Sequence, residues 1–243
     1  MNSRKNKIVE FTNAEAIKSN DTFNTSLELR KTMLAASISA ESKHFYTPII
    51  LSFNETEIKF KNFKTFYCLA EAFSAHKAPH KICVNLARSL AAIHNHRPDY
   101  GLVYTIPTSN HFLHEDFGVC NIFIDSNNFP MIIDWAPPHG KNPLVEPIDP
   151  RFVDVVPFIN TFITQVDARR GRLVAFAVSF LREYLLQLNS PINLKSLTRM
   201  IIISRFQQIK REIYGGHLRA LAKSALAFPY IAYACILIRR LKS

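Results

Sequence analysis

Short alternating stretches come first along the chain, and long helical periods follow. Residues 7–12 (Lys-Ile-Val-Glu-Phe-Thr) read as a short strand. A helix is predicted over 26–39, capped by Thr25 or Ser26, with Leu27, Arg30, Leu34 and Ser37 marking its turns. Residues 46–53 and 56–63 read as a hairpin turning at Asn54-Glu55, its second strand alternating Ile58 and Phe60 with Lys59 and Lys61. Consecutive helices are predicted over 64–76 and 80–97, the second repeating Ile82, Leu86, Leu90 and Ile93 at helical spacing.

Further on, Ile122-Phe123-Ile124 and Met131-Ile132-Ile133 read as two short buried strands, folded back by the turn chemistry of Asp125-Ser126-Asn127-Asn128. Trp135-Ala136-Pro137-Pro138-His139-Gly140 breaks any helix and opens a Pro-rich loop that runs to Pro150. The remainder reads as helix. Residues 172–188 are almost continuously apolar. Residues 194–213 are amphipathic, with Ile202, Phe206, Ile209 and Ile213 on one face and Arg199, Arg205, Lys210 and Arg211 elsewhere. Gly215-Gly216 interrupts, and an apolar stretch over 224–238 ends in Arg239-Arg240-Leu241-Lys242.

Composition narrows the class. At 243 residues, 48% hydrophobic and 12% aromatic, the chain can build a substantial core in one large domain or a two-lobed one. Cys68, Cys83, Cys120 and Cys235 form no C-x-x-C pair, which argues against zinc and a disulfide framework and for a reducing compartment. The basic N-terminal residues lead into no long apolar run, so no secretory signal is read.

The net charge of +11 is concentrated at one end. From Ser190 onward ten Lys and Arg face the single acid Glu212, a net of +9, while the preceding residues hold 20 bases and 18 acids. Such an excess attracts phospholipid head groups, phosphorylated glycans or nucleic acid. Its bases are interleaved with aliphatics and lack an aromatic stacking platform, so nucleic acid ranks last among these partners.

Candidate chemistry gathers in 114–135. Asp116, Asn121 five residues on and Asp134 thirteen further come in one order, and the hairpin between them brings Asn121 near Asp134. Asn121 and Asp134 are suited to a divalent cation, and Asp116 to receiving a proton from an attacking hydroxyl. The pattern H-x-D-x-x-x-x-N, a hairpin, then Ile132-Ile133-Asp134-Trp135 resembles the catalytic and metal-binding loops of kinase-like phosphotransferases. Its nearest flavour is the small-molecule branch: aminoglycoside phosphotransferases, choline kinases and lipopolysaccharide core sugar kinases.

The resemblance implies an α+β, two-lobed protein-kinase-like fold, with a reduced β-rich N-lobe over 1–66 and a mainly helical C-lobe over 67–243. It implies ATP and Mg2+ as cofactors, with Asn121 and Asp134 on metal and nucleotide and Asp116 as the catalytic residue. The acceptor would be the hydroxyl of a small molecule or of a glycan. His94 and His114 take bracing roles, and Asp154 resembles the aspartate that ties down the catalytic loop from the helix behind it. A cytoplasmic enzyme is expected, reaching anionic membrane through its basic C-terminus.

The N-terminal part departs from the pattern. No glycine precedes Gly101, so the Gly-rich loop over the ATP phosphates has no counterpart in these residues. Aligning the family's strand with 8–11 puts Glu10 where its lysine belongs, while aligning it with 15–18 supplies Lys18, with Glu28 as helix partner. The competing reading is therefore a kinase-like scaffold without nucleotide handling. For 224–238, a buried terminal helix competes with an interfacial one that sets Tyr230 and Tyr233 at the head-group boundary, since fifteen residues fall short of the roughly 20 a spanning helix needs.

Overall fold

The computed structural model describes residues 8–11, 15–19, 22–61, 66–75, 79–97, 111–135, 149–166 and 168–241. The Pro-rich loop over 136–148 and the first residues of the helix expected from 64 lie outside this set.

An antiparallel sheet opens the chain. It is built from β1 (Ile8–Phe11), β2 (Glu15–Ser19), β3 (Ile50–Phe53) and β4 (Glu57–Lys61) in the order β1-β2-β4-β3. Strand β2 was expected only from aligning 15–18 with the family's strand, and not from alternation. Its buried positions are Ala16 and Lys18, and a lysine on the inner face hides the alternation that marks a half-buried strand. Between β2 and β3 runs α1 (Thr22–Ser42), longer at both ends than the predicted 26–39. Ala16, Ile58 and Phe60, with Leu29 and Ile50 against them, make a small separate core under this sheet. The second half of α1 leaves it, and Ala35 and Ile38 join Phe45 in the main core.

A second sheet, β5 (Tyr67–Cys68), β6 (Ile122–Ile124) and β7 (Pro130–Ile132), carries the expected hairpin, paired Ile122↔Ile132 through Ile124↔Pro130. Residues 67–68 are strand rather than helix because they find Ile124 and Phe123 as partners, a pairing across more than fifty positions that local pattern does not reveal. The predicted hairpin of 46–53 with 56–63 forms from Ile49 onward, where Ile49 O accepts from Lys61 N–H, but residues 46–48 lie outside it. Instead Tyr46 N–H donates to Pro130 O and Tyr46 O accepts from Ile132 N–H, bridging to β7.

Among the described residues six further helices follow: α2 (Leu69–Ala75), α3 (Pro79–Asn95), α4 (Phe152–Gln165), α5 (Arg170–Gln187), α6 (Leu194–Tyr214) and α7 (Leu218–Ile238). Their core is aromatic, with Phe176, Phe162, Phe158 and Phe180 touching in succession. Helix α6 stops where Gly216 takes φ +68, a conformation glycine adopts without a Cβ penalty, and His217 N–H closes onto Glu212 O.

The face of α6 is a correction. Leu197, Thr198, Ile201 and Arg205 are its buried residues, whereas Phe206 and Ile213 are 56% and 57% exposed. Helices α4 and α7 pack on the stripe that runs through 197, 201 and 205, so the charged member of that stripe is carried inward. Burial lowers the Arg205 pKa, partly offset by Glu212, and its Nη1 donates to Gln208 Oε1 at 2.9 Å.

Candidate active site

The hairpin register places two of the predicted residues. Beyond Ile122↔Ile132 the ladder continues as Ile133 N–H to Asn121 O at 3.0 Å, so Asp134 follows directly on the partner of Asn121. Asn121 sits in the short 3-10 turn 119–121, and its Nδ2 donates to the backbone O and to Oδ2 of Asp116 at 2.9 and 3.0 Å. Both amide protons are thereby used on Asp116, which leaves the Asn121 oxygen as the side chain's acceptor.

The third element arrives from the first sheet. Lys18 Nζ donates to Glu28 Oε1 at 2.6 Å and to Asp134 Oδ1 at 2.5 Å, joining β2, α1 and the end of the hairpin. Lys18 and Glu28 are 6% and 1% exposed, so this is a nearly dry ion-pair network. Desolvation pulls the Lys18 pKa down, but the charges and hydrogen bonds of Glu28 and Asp134 outweigh it and raise the pKa overall. The pairing of Lys18 on β2 with Glu28 on α1 is thus formed in the fold.

A second ion pair couples α1 to the loop that carries His114, Glu115 and Asp116. Lys31, one turn after Glu28, donates to Glu115 Oε2 at 2.8 Å and to His114 O at 3.1 Å. Sequence reading missed both Lys31 and Glu115. Their only local signal was the i, i+3 step from Glu28 to Lys31, which is common on solvated helices. Burial raises the Glu115 pKa and Lys31 opposes the rise. Glu115 and Asp134 also share left-handed backbone, with φ of 73° and 60°, a conformation that costs about 1–2 kcal/mol for residues other than glycine. Gly118, by contrast, has extended backbone with room for a Cβ, so the Phe117-Gly118 step does not depend on glycine.

Behind the loop, Asp154 on α4 is fully buried and collects three donors. The N–H groups of His114 and Glu115 lie 2.9 and 2.6 Å from its carboxylate, and His94 Nε2 lies 2.9 Å away. Burial alone would raise its pKa, but the hydrogen bond and charge of His94, with help from His114, lower it instead. His94 Nδ1 is in turn 2.6 Å from the Tyr184 hydroxyl.

His114 braces the loop from the other side. Burial lowers its pKa to about 4, against a partial pull upward from Asp154. The neutral ring donates from Nε2 to Ile133 O at 2.9 Å and accepts the Asp116 N–H on Nδ1 at 3.2 Å. Between pH ~6.5 and ~4 the unfolded chain therefore binds a proton that the folded chain refuses. The expected loss of stability across that window is about 3 kcal/mol as pH falls. Urea unfolding at neutral and mildly acidic pH measures it, and the untitratable His114→Gln variant is expected to flatten the slope.

Among the described residues no three His, Cys, Asp or Glu side chains come together as a metal cluster. The candidate donors are the oxygens of Asp134 and Asn121, hard ligands too few to cage a cation alone. That set fits magnesium shared with substrate phosphates, which commonly uses one or two protein oxygens.

No protein-family model and no curated protein matches the sequence. Solved structures do match. The ADP-bound aminoglycoside phosphotransferase APH(2'')-Ib superposes with a TM-score of 0.52 at 12% identity, covering 92% of this chain and 88% of that one. The gentamicin complex of APH(2'')-IIa gives 0.52 at 12% identity over 89% and 85%. A choline/ethanolamine kinase family protein from Mesorhizobium loti gives 0.55 at 10% identity over 95% and 88%.

The fold is the two-lobed kinase-like fold of small-molecule phosphotransferases. In that fold the first sheet with α1 is the reduced N-lobe, and the helices with the β6–β7 hairpin form the mainly helical C-lobe. Asp116, Asn121, Asp134 and Lys18 all lie in the region where the first sheet and α1 approach the loop over 114–121 and the end of the hairpin.

Proposed function

We propose that the chain is an ATP-dependent phosphotransferase acting on the hydroxyl of a small molecule or of a sugar, including lipid-linked sugars such as those of a lipopolysaccharide core. The observation that carries this reading is the Lys18 network, in which one buried lysine is oriented by Glu28 and aimed at Asp134. A lysine so held presents a fixed positive charge to nucleotide phosphates, and Glu28 keeps it there. Asn121 and Asp134 hold magnesium, which when bound supplies charge neutralisation on the β- and γ-phosphate oxygens. Asp116, fixed by both amide protons of Asn121, orients the acceptor hydroxyl and receives its proton late in the transfer. The same reading divides the chain at residue 66, a division supported by the separate small core under the first sheet. The basic C-terminal region favours a lipid-linked acceptor over a soluble one.

A scaffold without nucleotide handling is favoured by one observation, the lack of any glycine before Gly101. Calorimetric titration of ATP with magnesium separates the two. Binding is expected in the wild type and weakened by about tenfold or more in Lys18→Met and in Asp134→Ala, the worth of one hydrogen bond to a charged group. A wild-type protein that binds no nucleotide would refute the enzyme and leave the scaffold.

A further inference from the structure

From Ala225 to Ile238 helix α7 is apolar on every side, and only one side is used by the fold. Ala227, Ile231, Ala234, Cys235 and Ile238 are buried against the neighbouring helices α4, α5 and α6. The opposite side carries Leu226, Tyr230, Tyr233 and Ile236, which are 70%, 40%, 55% and 51% exposed. These positions recur every three or four residues, so they form one stripe along the helix. Arg219 and Lys223 stand exposed at one end of the stripe and Arg240 at the other, while Arg239 turns its Nε onto Thr198 Oγ1 of α6. From Lys223 to Arg240 is roughly 25 Å at the helical rise. The turn before α7 extends the same character, since Tyr214 and Leu218 are highly exposed beside Lys210 and Arg211.

By length and composition α7, with 21 residues, is the one described helix able to cross a membrane. Its packed inner face argues against crossing, because that face belongs to the main core. A helix held along the protein surface with an aromatic and aliphatic stripe between cationic ends suits the plane of a bilayer interface instead. There Tyr230 and Tyr233 sit at head-group depth, and the cations face anionic lipid. Charge selects this occupant over a second copy of the chain. Both ends of the stripe are basic, so parallel and antiparallel pairing of two copies each bring cation against cation.

We infer that the outward face of α7, with the α6–α7 turn, docks the protein onto the surface of an anionic phospholipid membrane. The surface requires no nucleotide, so it stands or falls apart from the phosphotransfer reading.

The test uses the full chain and sedimentation with vesicles of phosphatidylcholine alone or mixed with phosphatidylserine. Binding is expected to the mixed vesicles, to weaken as salt is raised, and to fall at least about tenfold in the double variant Tyr230→Glu/Tyr233→Glu. The charge reversal Lys223→Glu/Arg240→Glu is expected to lose the preference for phosphatidylserine. All four positions are exposed, and circular dichroism confirms that each variant keeps its fold. Absence of wild-type binding to the mixed vesicles would overturn the inference, as would equal binding by the tyrosine variant. A concentration-dependent dimer in solution that the tyrosine variant abolishes would also overturn it and assign the face to a second copy.

Discussion

Replacing Asp154 by alanine is expected to destabilise the protein by about 3–5 kcal/mol, the cost typical of leaving a buried network without its charge. Three donors converge on this one carboxylate: the backbone N–H groups of His114 and Glu115 and the ring of His94. None of them has water to turn to, since Asp154, His114 and His94 are all fully buried. Against a total stability of about 5–15 kcal/mol for a domain, such a loss threatens folding itself. Asp154→Asn is expected to cost less but still about 1–3 kcal/mol, because its amide nitrogen must face a donor where an acceptor stood. Chemical denaturation measures both. A change below about 1 kcal/mol in the alanine variant would mean that the catalytic loop holds its conformation without this anchor.

The largest effect on activity is expected at Asp116. Asp116→Asn retains an oxygen and the local shape but loses the capacity to take the hydroxyl proton, which general-base catalysis values at about 10²–10⁴ in rate. Magnesium-dependent ATP turnover, with water standing in for the acceptor, is expected to fall by that factor while nucleotide affinity stays unchanged. Asp134→Ala is expected to lose affinity as well, since in the proposed mechanism Asp134 holds the metal, and it also accepts from Lys18. The contrast separates the two aspartates: equal losses of affinity in both variants would contradict the assigned roles. Unchanged turnover in Asp116→Asn would remove Asp116 from the chemistry.

The order Asp116, Asn121, Asp134 was legible because its geometry is local. Two three-residue strands and a turn of Asp and Asn leave few ways to fold, and the register that results pairs Asn121 with Ile133. Asp154 was legible only through family resemblance, because its partners lie about forty residues upstream and nothing near it in sequence demands a buried carboxylate. Lys31 and Glu115 were not legible at all. They are 84 positions apart, and each looks like an ordinary surface charge until α1 is laid against the catalytic loop.

The helices show the same division. In α3 a strongly one-sided pattern predicted the buried Ile82, Leu86, Leu90 and Ile93 directly. In α6 apolar residues occur on several faces, and the packing of α4 and α7 selected the stripe through Leu197, Ile201 and Arg205.

The sequence by itself determined a mixed α+β chain, a hairpin that brings Asn121 beside Asp134, and a cationic C-terminal region, because each depends on neighbours within a few turns of chain. Tertiary structure alone decided that Lys18 meets both Glu28 and Asp134. A lysine on the inner face of a strand is tolerable only when carboxylates meet it, and Asp134, 116 residues away, meets it only once the first sheet closes over the hairpin. Tertiary structure also decided which side of α7 is left outward, since its uncharged stretch over 225–238 is apolar all round and carries no periodicity to orient it.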